Sequence, residues 1–177
     1  MNLILIGYRG CGKSTVGQLL SRRLGWQFVD LDEVVVQNAA GRSIAQIFAA
    51  EGEAGFRQRE RAALDLLRKG RRQVIAAGGG AVIDAESRAL AKKIGKVVWL
   101  RAPAAVLWAR IRKDPGSARN RPDLTVGGLD EVEAVLRDRE DIYRSAAGHI
   151  VDTVSASVEE VADAIEMWYR ANDSEGG

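Results

Sequence analysis

The sequence predicts a three-layer α/β/α protein built on a central parallel sheet. Three observations carry this. Short apolar runs alternate with amphipathic segments along the whole chain, the pattern of helices wrapped on a parallel sheet. The runs are continuously apolar rather than alternating, as strands buried on both faces are. The first run leads straight into a glycine-rich turn and then a helix, Gly7-Tyr8-Arg9-Gly10-Cys11-Gly12-Lys13-Ser14-Thr15.

Leu3-Ile4-Leu5-Ile6 carries the first strand, and the helix after the turn runs from Lys13 to Leu24, with Gly25 as its C-cap. Trp26 to Asp30 reads as a second strand. Residues 33–49 read as helical with a break near Gly41, Ser43 capping the second piece. Gly52 and Gly55 loosen the chain before a helical segment from Phe56 to Lys69. Gln73 to Ala77 is a buried strand that ends in Gly78-Gly79-Gly80. Asp84 caps a helix through Ala91, Lys96 to Leu100 is a strand, and Pro103 opens a helix from Ala104 to Lys113. Residues 114–128 are rich in Gly, Pro, Arg, Asn and Asp and read as a mobile lid. Leu129 to Tyr143 is helical and His149 to Thr153 a last strand, so five strands are expected. Ser157 with Glu160 forms a capping box for the final helix. Residues 1–171 make one domain, and the polar tail 172–177 is expected to be disordered.

Bulk composition narrows the function. With 26 basic and 24 acidic residues the formal net charge is only +2, so a nucleic-acid-coating protein is not indicated. A single cysteine, Cys11, allows no intrachain disulfide and agrees with a reducing cytoplasm. No apolar run is long enough to span a bilayer, so a soluble cytoplasmic protein without a membrane partner is expected.

The opening turn matches G-x-x-x-x-G-K-[ST], a P-loop between a strand and a helix. Its glycines allow positive φ and close approach of oxygen. Successive backbone N–H groups and the helix N-terminus make an anion site. Gly10, Cys11, Gly12, Lys13, Ser14 and Thr15 are therefore assigned to nucleotide phosphates. Lys13 would reach the β- and γ-phosphates and Ser14 would hold Mg²⁺. Cys11 reads as a small residue that fits the loop rather than a reactive thiol. In such sheets ligands bind at the carboxyl ends of the strands, so the residues after each strand matter most.

Asp30 and Asp32 leave the second strand two apart, where extended backbone would put both on one face. One can assist Mg²⁺ through its waters. The other can hydrogen-bond a substrate hydroxyl and orient it for attack on a γ-phosphate. Gly78, Gly79 and Gly80 suit a ligand pressed against backbone. Arg119 and Arg121 sit in the lid, where an arginine closing on the phosphates would stabilise charge and exclude water. Arg57 and Arg139 could grip a carboxylate with paired N–H groups, although each alone reads as an ordinary surface arginine. His149, the only histidine, reads as structural, and the tryptophans as packing residues.

Taken together, the P-loop, Phe28-Val29-Asp30-Leu31-Asp32, Phe56-Arg57-Gln58-Arg59-Glu60, Ala76-Ala77-Gly78-Gly79-Gly80, Arg121-Pro122 and Arg139 with Tyr143 resemble the shikimate kinases. These are small P-loop enzymes akin to nucleoside monophosphate kinases. The resemblance spans Met1 to about Tyr169. It implies a P-loop NTPase fold with a lid. It also implies transfer of the γ-phosphoryl group of ATP to the 3-hydroxyl of shikimate, toward chorismate and the aromatic amino acids. It implies Lys13, Asp32 and Arg121 as catalytic groups, Asp32 on the attacking hydroxyl. Arg57 and Arg139 would hold the shikimate carboxylate, with Gly79, flanked by Gly78 and Gly80, against the substrate. Ser14 would bind Mg²⁺ with Asp30 reaching it through water. Arg121 would be the lid arginine and Arg112 would lie over the adenine. Mg²⁺ is the implied cofactor, ATP and shikimate the partners, and a monomer the expected state. Leu31 between the aspartates and Asp123-Leu124 after Pro122 depart from the family's usual pattern. A gluconate kinase or other small polyol kinase is the alternative within enzymes, and a non-catalytic nucleotide-binding module the alternative outside them.

Overall fold

A computed structural model describes residues 1–113 and 128–173. The expected lid, with Arg119 and Arg121, therefore lies outside the described residues except for Gly128, as do residues 174–177. Five strands form one parallel sheet in the order β2-β3-β1-β4-β5: β1 Asn2–Ile6, β2 Gln27–Asp30, β3 Gln73–Ala76, β4 Gly95–Arg101 and β5 His149–Asp152. Among the described residues the helices are α1 Lys13–Leu24, α2 Leu31–Asn38, α3 Ile44–Leu67, α4 Ala85–Ile94, α5 Ala104–Lys113, α6 Gly128–Ala146 and α7 Val158–Asp173.

The period-two geometry of β1 explains the layering. Leu3 and Leu5 point into one core with Val16 and Leu20 of α1, Leu107 and Ile111 of α5, and Val161 and Ile165 of α7. Ile4 and Ile6 point into the other, with Leu31 and Val35 of α2, Phe56 and Leu64 of α3, Ala91 and Ile94 of α4, and Tyr143 of α6. The burial of β1 and β3 suits their apolar runs, residues 3–6 and 74–76, while their buried polar first residues meet each other, the Gln73 N–H donating to Asn2 Oδ1 at 3.1 Å. The edge strands β2 and β5 are only partly buried.

Several helix ends form as the sequence indicates. Ser43 and Gln46 close a capping box on α3, and Ser157 and Glu160 do the same before α7. Asp84 accepts from the Ser87 N–H, and Gly25 ends α1 in the left-handed region. Three boundaries differ from expectation. α2 begins at Leu31, directly after β2, because the Asp30 carboxylate captures the Asp32 N–H as an N-cap. α3 runs from Ile44 to Leu67 as one element with a break only at Gly52, where φ is 66° and ψ −173°. α7 continues through Asn172 and Asp173, which bond with Trp168 and Tyr169, so the first two residues of the expected tail are helical. No helix among the described residues is long and apolar enough to cross a membrane.

The sheet order makes β1 the switch point. The chain crosses from β1 to the edge strand β2, returns to β3 beside β1, and then passes over to β4 and β5 on the other side. A cleft therefore opens at the carboxyl end of β1, where the P-loop begins.

Candidate active site

A cleft of about 720 Å³ lies over that switch point. Its wall includes Arg9 to Val16, Asp30, Asp32, Ala76 to Gly79, Arg110, Thr153 and Ala156 to Val158. It therefore joins the loops after β1, β2, β3 and β5 with one residue of α5.

The P-loop is preformed. Gly12 is the N-cap of α1 with φ 94°, a conformation that a side chain would strain, and it exposes the first N–H groups of the helix. Lys13 folds back over the loop. Its Nζ donates to the carbonyls of Gly7 at 2.8 Å and Tyr8 at 3.0 Å, and contacts Cys11 Sγ at 3.5 Å. Cys11 is buried, so its thiol serves the loop's packing.

The two aspartates do share the cleft, by a different geometry from the extended one expected of them. Asp30 is still extended, while Asp32 already lies in the first turn of α2. Asp30 accepts from the Asp32 N–H at 2.9 Å through one oxygen and from the Ser14 hydroxyl at 3.4 Å through the other. Burial, and then the neighbouring Asp32 charge, raise its pKa above the ordinary carboxylate value. A cation beside Asp30 would relieve both effects. Hard oxygen donors from Ser14 and Asp30 suit Mg²⁺, which takes one or two protein ligands and completes its shell with water and phosphate. No cluster of three or more His, Cys, Asp or Glu able to hold a metal occurs among the described residues.

The glycine turn after β3 is the meeting point of the distant arginines. Arg139 of α6 donates through Nη1 to the Gly79 carbonyl at 3.3 Å, and the Tyr143 hydroxyl donates to the same oxygen. Burial pushes the Tyr143 phenol to a pKa of about 12, so it stays protonated as a donor. Arg57 of α3 lies directly against Gly80, where a Cβ would collide with its guanidinium. It is held by Glu60, which is buried, and by the exposed Glu53 at 3.0 Å. Gly79 has no such restriction from the protein itself. A Cβ there would meet its nearest atoms, led by the Gly7 carbonyl at 3.4 Å, at ordinary contact distance. Gly79 also lines the cleft, which brings its backbone within reach of a ligand there.

Matches to known proteins agree with this arrangement. The shikimate kinase family profile matches residues 9–169. The chain belongs to the shikimate kinase family. A shikimate kinase of Rhodopirellula baltica is 44% identical over 161 residues, covering 90% of this chain and 86% of that one. A shikimate kinase 2 of Dickeya chrysanthemi is 44% identical over 151 residues, covering 85% of this chain and 86% of its own. Among solved structures, the shikimate kinase of Acinetobacter baumannii in complex with shikimate superposes with a TM-score of 0.88. It is 34% identical and covers 97% of this chain and 93% of that chain. A gluconokinase of Sinorhizobium meliloti superposes at 0.64 with 18% identity, over 99% of this chain and 97% of that chain, a likeness of fold alone.

Against this family background, some placements differ from those expected of the sequence. Arg112 is exposed on the last turn of α5 and takes no part in the cleft wall. Arg110 does, donating to Thr153 Oγ1 at 3.0 Å and to the Thr153 carbonyl at 2.5 Å. Helical spacing carried that signal, because Arg110 is three residues from buried Leu107 and Arg112 is five. Arg9 also lines the cleft, from a variable position of the P-loop where no pattern marks it. Arg57, Gly80 and Arg139 are not part of the cleft wall but gather on the same glycine turn. His149 stacks on Trp168 at 5.0 Å and burial lowers its pKa, a packing role remote from the cleft wall.

Proposed function

We propose that this chain phosphorylates the 3-hydroxyl of shikimate with ATP, acting as a cytoplasmic monomer in aromatic amino acid biosynthesis. The observation that carries the reading is the glycine turn. It brings two arginines from different helices, Arg57 and Arg139, beside a phosphate loop and an acidic pair. A phosphate donor in the cleft can then meet a carboxylated acceptor held at the turn that borders it.

The residues divide the work. Backbone N–H groups from Gly10 to Thr15 hold the nucleotide phosphates. Lys13 exchanges its loop carbonyls for phosphate oxygens. Arg110 and the segment from Thr153 to Val158 flank the base end. Ser14, with Asp30 behind it, would hold Mg²⁺. When bound, that ion would supply positive charge to neutralise what develops on the phosphates. Asp32 accepts the hydrogen bond of the attacking hydroxyl and orients its lone pair toward phosphorus. Arg57 and Arg139 hold the acceptor's carboxylate. Glu53 is the exposed partner of Arg57 and the one a substrate carboxylate displaces, while buried Glu60 keeps its hold. Gly78 to Gly80 set backbone against the ring, and Arg121 is assigned to the closing lid.

A coupled assay of ADP release tests the reading with shikimate, gluconate and no acceptor. Release that requires shikimate is expected. Release with gluconate alone, or equal release with no acceptor, refutes it.

A further inference from the structure

α3 carries the proposed carboxylate grip, and it is not a continuous helix. Gly52 interrupts it with φ 66° and ψ −173°, a backbone region essentially confined to glycine. Nothing lies within 4 Å of where a Gly52 Cβ would be, so the break is free to flex unless something spans it. Two contacts do, each between residues eight apart. On the inner side Phe48 stacks on Phe56, with centroids 4.5 Å apart and planes at 29°. On the outer side Glu51 takes both Nε and Nη2 of Arg59, at 2.7 and 2.8 Å. Its Oε1 also meets Arg42 Nη2 at 2.9 Å, from the turn that precedes α3.

Residues eight apart in an unbroken helix are about 12 Å apart along the axis. A two-pronged bond between Glu51 and Arg59 is therefore matched to the bend, and it restrains the bend to one angle. Arg57 sits between the two anchors Phe56 and Arg59, its guanidinium 5.5 Å from the Phe56 ring centroid. A change of angle at Gly52 moves it directly.

We propose that Glu51 is a positioning residue for substrate binding, bracing α3 across Gly52 through Arg59 and Arg42 and thereby fixing where Arg57 meets the acceptor's carboxylate. This builds on the assignment of Arg57 made above. Hydrogen bonds from Arg59 and then Arg42 hold the Glu51 carboxyl below its ordinary pKa, so the brace is charged throughout the neutral range. Partly exposed ion pairs of this kind add little to global stability. A purely structural surface pair would leave substrate affinity alone, whereas a brace would not.

The test is steady-state kinetics on the full chain for Glu51→Gln, Arg59→Ala and the double variant, with melting temperatures alongside. The shikimate KM should rise about threefold in each single variant. It should rise no further in the double variant, because both changes cut the same contact. The ATP KM, kcat and melting temperature should stay close to wild type. An unchanged shikimate KM overturns the proposal. So do additive effects, or an ATP KM that rises in step. Arg57→Ala separates this inference from the one beneath it. If Arg57→Ala raises the shikimate KM while Glu51→Gln does not, the brace fails alone. If Arg57→Ala leaves that KM unchanged, the carboxylate assignment fails and takes the brace with it.

Discussion

Tyr143→Phe isolates one hydrogen bond at the centre of the acceptor site. Tyr143 has no exposed surface, and its ring packs 5.6 Å from that of Trp99, contacts that phenylalanine keeps. Only the hydroxyl donated to the Gly79 carbonyl is lost. A buried hydrogen bond contributes about 1 kcal/mol net, and an orphaned acceptor costs about 1–3 kcal/mol. Here Arg139 still reaches the same oxygen at 3.3 Å, so the loss should fall near the lower end, about 1–1.5 kcal/mol. For a chain of this size that lowers the melting temperature by about 3–5 °C. The function should change as well. With Tyr143 silent, Arg139 is the side chain left holding the turn, and drawing it toward a carboxylate costs more. At about 1 kcal/mol the shikimate KM rises roughly fivefold, while the ATP KM stays put. Thermal melts and steady-state kinetics on the purified variant read both. A melting temperature and a shikimate KM both equal to wild type would refute the reasoning. An ATP KM that rose equally would show that the turn does not act on the acceptor side.

Two other substitutions probe neighbouring parts of the site. Asp30→Asn keeps an N-cap for α2 but removes a charge whose pKa is raised by burial and by Asp32. A raised carboxylate contributes stability below the ordinary Asp value and loses it as pH rises through the raised value. The variant should thus match wild type in acid and melt higher at neutral pH, while turnover falls about 10- to 100-fold through weakened metal support; melts across pH and kcat check the two halves. Gly80→Ala puts a methyl group into the Arg57 guanidinium, the far end of a flexible side chain. The fold should survive, and the shikimate KM should rise about tenfold through loss of a charge-assisted bond, as measured by initial rates over a shikimate titration.

Much of the architecture was legible because it follows from burial. Strands such as β1 and β3 are buried at every residue, and beyond a polar first residue in each, Asn2 and Gln73, they are wholly apolar. The capping boxes at Ser43 and Ser157 were legible for a local reason, since the bonding groups lie three residues apart. The geometry at Asp30 and Asp32 was not. Alternation along a strand cannot register that an aspartate side chain captures the next-but-one N–H and turns the chain into a helix. The break at Gly52 was legible, but not that helix resumes directly after it, because the Phe48–Phe56 and Glu51–Arg59 contacts that hold the two pieces together are set by the bend. Helical spacing favours Arg110 over Arg112, but what Arg110 bonds, the residue just after β5, is not marked locally. Thr153, the residue that fixes Arg110, lies more than forty positions away in sequence.

Lys13 has a consequence for how long a nucleotide stays. Its ammonium is engaged by two carbonyl oxygens and a sulfur of its own loop. An arriving phosphate exchanges those contacts for its own, and an exchange of hydrogen bonds yields far less net free energy than their formation in isolation. A lysine bonded to its own loop helps hold the loop's shape, and those carbonyls are at hand to take it back as a nucleotide leaves. Residence time is shortened at the step where a kinase must let go of ADP before it can turn over again.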